Sequence, residues 1–260
     1  NTFEEVFTIN VVDITQENDT ATAHIWNLDT ASNYDYDVTE LEMNDGVAVL
    51  AGYSRLNFSP THYWAMDEAS WETASDITGN GATGTAYGGA NTTSGGVIGN
   101  AGSFSSTTGS GNQQYLDFGT TNGYPTGASD FSFGIWFKTA TNSTPGPGWG
   151  QAMIVRSALG PYPDRYGLAT DDNGKVILFL QFGSTEYTFS SANSGYNDNQ
   201  WHLAVATIDR DGNATLYVDD TSKSVNISGK QSENFDSDYK LYIGAYNDAT
   251  GNAVSEDYLF

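Results

Sequence analysis

The stretch AMDEASWETASDITGNGATG, residues 65–84, sets Asp67, Glu68, Glu72 and Asp76 close together and then runs into glycine. Side chains of this kind can do three things. Two carboxylates facing one another can work as acid and base. Several oxygens on a glycine-rich turn can hold a hard cation, because calcium takes six to eight oxygen ligands and glycine lets backbone carbonyls approach. Or the same acids can serve the backbone, with Asp67 capping a turn and Asp76 making an Asx-turn into TGNG. The metal reading takes Asp67, Asp76 and Asn80 as ligands of Ca2+. Both it and the turn reading remain open at the level of sequence.

Catalysis has less to stand on. A retaining glycosidase needs two carboxyl groups about 5 Å apart, and the only acids alternating along a strand-like segment are Glu40 and Glu42. Leu41 and Met43 alternate with them, so the segment reads as a solvated face opposite a buried one. The imidazoles are His24, His62 and His202, and the last two sit beside tryptophans as packing or hydrogen-bonding residues. No nucleophile triad, phosphate loop or dinucleotide motif occurs. The chain is expected to be non-catalytic. DRDGN (209–213) resembles part of a calcium loop but lacks its distal glutamate, and with DDNGK (171–175) it is expected to be a hairpin turn.

Ligand chemistry of another kind lies in aromatic residues where no core requires them. Trp149, Tyr162 and Tyr166 stand among Gly and Pro in TNSTPGPGWGQ and ALGPYPDRYG, with Trp71 as a fourth candidate; sugar rings stack on such faces. The competing reading is that they cover the edge of a sheet. Trp64, Trp136 and Trp201 lie on apolar strands and are assigned to the core.

The elements that would position these residues are strands. Apolar and polar residues alternate in EEVFTINVVDI, TATAHIWNL and YDVTELEM, followed by VAVL, which predicts a small antiparallel β unit over 1–58. A second unit, 59–260, opens with HYWAM, passes a Gly/Ser/Thr-rich loop over 77–113, and continues through QQYLDFG, DFSFGIWFKT, QAMIVR, RYGLAT, KVILFLQF, TEYTFS, WHLAVATID, ATLYVDD and KLYIGA. Strands at this spacing, separated by Gly/Asn/Asp turns, predict an all-β sandwich or jelly roll.

Composition narrows the partners. The 260 residues carry 32 acids against nine Lys and Arg, a net charge of −23. Phosphate backbones need clustered cations, so nucleic acid is excluded as a partner. Such a surface attracts cations and also suits high salt. No cysteine is present, so there is no disulfide framework or thiolate metal site. No apolar run reaches about 20 residues, so membrane insertion is not expected. Opening at Asn1 without a leader, the chain reads as a mature or excised segment.

Five motifs in order carry a family resemblance: YWAMDEASWETASDITGNGATG, GNAGSF with QYLDFG, DFSFGIWFKT, WHLAVATIDRDGNATLYVDD, and LYIGAYND. Over residues 62–246 the chain resembles a laminin-G-like (LamG), concanavalin-A-type jelly roll of bacterial and archaeal surface proteins. The resemblance implies a β-sandwich, a calcium ion as a common companion, and a closing strand after the LYIGA segment. The sequence stops at SEDYLF, where that strand is expected to begin. The polypeptide either continues or takes the strand from another copy.

These observations predict a non-catalytic extracellular or cell-surface module for adhesion or binding, with glycans or neighbouring surface proteins as partners. A structural subunit of a filament, surface layer or virion, self-assembled by strand complementation, is the alternative. The third is the binding domain of a polysaccharide-degrading enzyme.

Overall fold

The computed structural model describes the backbone of residues 40–44 and 47–51, and residues 60–104, 114–120, 124–125, 127–140, 151–157, 164–230, 232–235 and 239–245 in full. Contacts divide the chain into two units, Asn1–Ser59 and Pro60–Phe260. In the first, β1 (Glu40–Asn44) and β2 (Val47–Ala51) form an antiparallel hairpin, with Glu40 in register with Ala51 and Glu42 with Val49. The strands expected from EEVFTINVVDI and TATAHIWNL, and His24, lie outside the described residues.

The second unit is all-β. Its strands are β3 (Thr73–Ala74), β4 (Gly84–Tyr87), β5 (Asn91–Ser94), β6 (Asn100–Ser103), β7 (Tyr115–Asp117), β8 (Phe131–Phe137), β9 (Ala152–Ser157), β10 (Arg165–Thr170), β11 (Val176–Phe182), β12 (Thr185–Ser190), β13 (His202–Ile208), β14 (Asn213–Val218), β15 (Thr221–Asn226) and β16 (Lys240–Ile243). Among the described residues they form an eight-stranded sheet, β12-β11-β10-β9-β16-β7-β4-β3, a four-stranded sheet, β15-β14-β13-β8, and the β5-β6 hairpin. The expected strand HYWAM is only a single bridge, Trp64 to Asp76.

The two sheets share one core because alternate residues of each turn toward the other. Leu116, Ile154, Leu168, Leu178 and Leu241 come from the large sheet, and Ala204, Ile208, Leu216 and Val218 from the small one. Each buried Leu- or Ile-sized side chain contributes about 2 kcal/mol. The central strands of the large sheet do not alternate. Every residue of β9 and β11 is buried, and Ala152, Val155, Ala169 and Phe179 form a second cluster on the face turned away from the main core. Gly167 makes room for it: a Cβ there would lie 2.5 Å from the Phe179 ring and 2.7 Å from the Ile154 carbonyl oxygen. Gly167→Ala is expected to lower stability by about 1–3 kcal/mol in urea unfolding; an unchanged midpoint would show that the ring moves aside freely.

DRDGN and DDNGK are the turns of the β13–β14 and β10–β11 hairpins. Asp209 N–H donates to the Asn213 carbonyl at 3.0 Å, and Asp171 Oδ1 accepts from Asn173 N and Lys175 N at 2.9 and 2.8 Å. Trp64 is partly buried against the core. Trp201 is half-buried, its indole N–H donating to the Gly95 carbonyl at 3.1 Å. Trp201 and Trp136 correct the assignment of all three to the core, since Trp201 joins no core cluster among the described residues. On β8, Phe131, Phe133, Ile135 and Phe137 turn inward, so Ser132, Gly134 and Trp136 turn outward, leaving Trp136 41% exposed.

Candidate ligand-binding site

Three acids of residues 67–76, Asp67, Glu68 and Asp76, serve the backbone. Asp76 Oδ1 accepts hydrogen bonds from Tyr63 N (3.2 Å), Thr78 N (3.0 Å) and Thr78 Oγ1 (2.6 Å). Asp76 Oδ2 accepts from His62 Nδ1 at 2.8 Å and Ala82 N at 3.4 Å. Burial pushes this carboxyl upward, but the bonds from Thr78, His62 and Tyr63 outweigh it and hold the group well below the usual carboxylate range. Glu68 is engaged similarly, by Trp71 Nε1 at 3.0 Å and Ser75 N at 2.7 Å. Asp67 Oδ1 accepts from Asn100 N at 2.7 Å, and the Asn80 amide donates to the Thr61 carbonyl at 2.6 Å.

This arrangement does not fit the expected calcium shell of Asp67, Asp76 and Asn80. Asp76 offers calcium no oxygen that is not already accepting from a donor, and Asn80 presents its amide nitrogen inward to the Thr61 carbonyl. Among the described residues no three His, Asp or Glu side chains converge as a metal-binding group.

Two of the aromatic candidates are also elsewhere than expected. Trp71 is 7% exposed, its ring on Phe104 and its backbone N–H on Asn91 Oδ1 at 2.8 Å. Tyr166 is 3% exposed among Phe131, Phe133 and Phe235, and burial pushes its hydroxyl far above the ordinary tyrosine range. Neither presents a ring face to a ligand, because both complete the packing between strands. Trp149 and Tyr162 lie outside the described residues.

The structure instead assembles tyrosines from three distant segments on the outward face of the large sheet. Leu116 points into the core, so Tyr115 and Asp117 point away from it; Leu241 and Ile243 do the same for Lys240 and Tyr242. Register pairs Tyr87 with Tyr115, and one line of partners runs from Thr85 through Asp117 to Tyr242. The Tyr87 and Tyr115 rings stack with centroids 4.9 Å apart and planes at 8°, and Tyr242 meets Tyr115 edge-on at 6.2 Å. The ladder rises from buried Tyr242, through half-buried Tyr115, to Tyr87 at 44% exposure.

Beside it, Asp117 Oδ2 accepts from Lys240 Nζ at 2.8 Å while its Oδ1 accepts from Gly119 N at 2.8 Å. Burial first, and the Asp117 charge second, push the Tyr115 and Tyr242 hydroxyls upward, so both remain proton donors at neutral pH. The arrangement offers an aromatic face, phenolic O–H groups and a carboxylate–ammonium pair within a few strand spacings. Those are the groups that read a polyhydroxylated ring: one apolar surface with a few directed donors and acceptors. The alternation of YLD and KLYI gave the outward parity of these residues, but only the strand register brings them together.

Residues 155–258 match the laminin G domain family, which bears out the LamG resemblance over those residues. Among solved structures, the binding domain of Paraclostridial Mosquitocidal Protein 1 is similar at 12% identity and TM-score 0.55, covering 74% of this chain and 44% of that one. The binding domain of botulinum neurotoxin DC, solved with rat synaptotagmin II, is similar at 13% identity and TM-score 0.53, covering 72% and 44%. A structure of botulinum neurotoxin type C, whose cell entry is described as dependent upon interaction with two ganglioside molecules, gives 13% identity and TM-score 0.50, covering 73% and 44%. At these identities the likeness is one of fold, and the chain spans less than half the length of each. No curated protein matches it.

Proposed function

We propose that this chain is a non-catalytic carbohydrate-binding module of an extracellular or cell-surface protein, with the tyrosine ladder as its sugar site. The observation that carries the reading is Tyr87: one ring face rests on Tyr115, and the ring remains 44% exposed beside the Asp117–Lys240 pair. A hexose would stack on Tyr87 while Lys240 and Asp117 take adjacent hydroxyls. The receptor-binding toxin domains of the same fold, one of them described with gangliosides, support a glycan as the ligand class. Tyr87→Ala is expected to weaken glycan binding about tenfold or more, equivalent to at least ~1.4 kcal/mol. Tyr87→Phe should keep most of the affinity, and Lys240→Met should lose part of it. The test is a glycan array followed by calorimetric titration. An array without a hit, or a Tyr87→Ala variant that binds as the parent does, rejects the site.

A second reading, a structural subunit assembled by strand complementation, is favoured by β8. Among the described residues it is paired on one side only, with β13. Its inward Phe131, Phe133 and Ile135 are only partly buried, whereas Ala204, Ala206 and Ile208 on β13 are 0–1% exposed. A strand added there would pair the open edge and cover that stripe. Light scattering over rising concentration tests it: growing oligomers support complementation, and a constant monomer ends it.

A further inference from the structure

The outward face of the small sheet is a separate surface, and its composition departs from that of the chain. Each of its four strands turns three residues outward: 132, 134 and 136 on β8, 203, 205 and 207 on β13, 213, 215 and 217 on β14, and 222, 224 and 226 on β15. None of these positions is Asp, Glu, Lys or Arg. In a chain of net charge −23, every charge is elsewhere. What occupies the face is hydroxyls, amides, two aliphatic side chains, one glycine and two aromatic rings.

The rings are the high points. Trp136 is 41% and Tyr217 is 42% exposed, both on strands whose other face is core. Register places Gly134, Val205 and Tyr217 on one line, with Trp136 one step along opposite Leu203. Trp136 and Tyr217 are thus two strands apart and one same-face step along, about 12 Å at ordinary strand spacing and rise. The floor between them is low, because Gly134 has no side chain and Val205 leans over it, its Cγ2 lying 2.9 Å from where a Cβ would be. Beyond Tyr217 the surface is hydroxyl and amide: Thr215 Oγ1 and Ser224 Oγ are 2.8 Å apart, and Asn226 Nδ2 donates to Asn213 Oδ1 at 3.2 Å.

We infer that this face binds an uncharged polysaccharide, independently of the tyrosine ladder on the other sheet. Two rings across a shallow floor match the apolar faces of successive sugar units, and neutral donors and acceptors match their hydroxyls. Acidic polymers are disfavoured because the twelve positions hold no cation, Lys138 standing beyond them at the end of β8, and the chain as a whole repels them. The same repulsion opposes a second copy as the occupant.

Microcrystalline cellulose, chitin and a soluble neutral β-glucan are the probes, with polygalacturonate as the acidic contrast. Retention on at least one neutral polymer is expected, weakened about tenfold by Trp136→Ala or Tyr217→Ala and insensitive to salt from low to molar concentration. Polygalacturonate should not be retained. Val205→Lys, which puts a charge on the floor and leaves both rings in place, should also abolish retention, with the melting temperature reporting that each variant is folded. Tyr87→Ala should leave it unchanged, so failure of either site is read separately. The inference is overturned if the neutral polymers do not retain the parent, if Val205→Lys binds as the parent does, or if the face proves to close a dimer that Trp136→Ala dissolves.

Discussion

Arg210→Ala should melt about 10 °C below the parent, a loss of roughly 3–5 kcal/mol for a unit of this size. Arg210 is 1% exposed at the tip of the β13–β14 hairpin and ties three segments together. Its Nη1 donates to the Gly127 carbonyl at 3.2 Å, and its Nη2 donates to the carbonyls of Lys230, at 2.8 Å, and Glu233. The guanidinium lies 4.6 Å from the Phe182 ring centroid and 5.2 Å from that of Phe235. Truncation takes the guanidinium from those carbonyls, of which that of Lys230 keeps Glu233 N as a donor, and opens a cavity between two rings. Lysine should restore little, because a single ammonium cannot reproduce the planar fork or its stacking. Differential scanning calorimetry of Arg210→Ala and Arg210→Lys checks this. An alanine variant melting within a degree or two of the parent would mean that the carbonyls are readily served by water.

The second large effect concerns acid. The Asp76 carboxyl is held well below its ordinary range in the folded chain, so on acidification the unfolded state takes up a proton first. Stability therefore falls with pH below the unfolded value of about 3.9, and what Asp76 contributes above that value is progressively lost. Asp76→Asn keeps the shape but loses the charge that Thr78, His62 and Tyr63 serve. It should cost on the order of 3 kcal/mol at pH 7. The two proteins should then converge as the pH drops from about 4 toward 2. Urea titrations followed by tryptophan fluorescence across this range give the answer. A gap that stays constant with pH would place the origin of the loss in shape and not in charge.

Much of the sandwich is legible in alternation. FSFGIWF and NATLYV each carry their apolar residues mainly on one parity, and those residues form the small sheet's inner stripe, whereas HLAVATI is apolar on both, with Leu203 and Val205 facing outward. Assigning Trp136 to the core set residue type above parity, although Phe131, Phe133, Ile135 and Phe137 had already claimed the inward face. VILFLQF carries no period, because it is buried on both sides. The service of Asp76 to its own turn was readable from DITGNG, but His62 as its partner was not, since fourteen residues separate them. The tyrosine ladder was out of reach for the same reason at larger scale: Tyr87, Tyr115 and Tyr242 become neighbours only through register.

The place of β16 in the large sheet also says when that sheet can form. Residues 240–243 lie between β9 and β7, strands made more than eighty residues earlier. Until they arrive, the sheet exists only as two ribbons, β12-β11-β10-β9 and β7-β4-β3, each with an unpaired inner edge. At 5–20 residues per second of synthesis, that interval lasts on the order of ten seconds. A nascent chain must keep two sticky edges apart for that time, and a topology closed by so distant a segment folds slowly. Losing β16 would divide the large sheet at its middle, not shorten it at an edge.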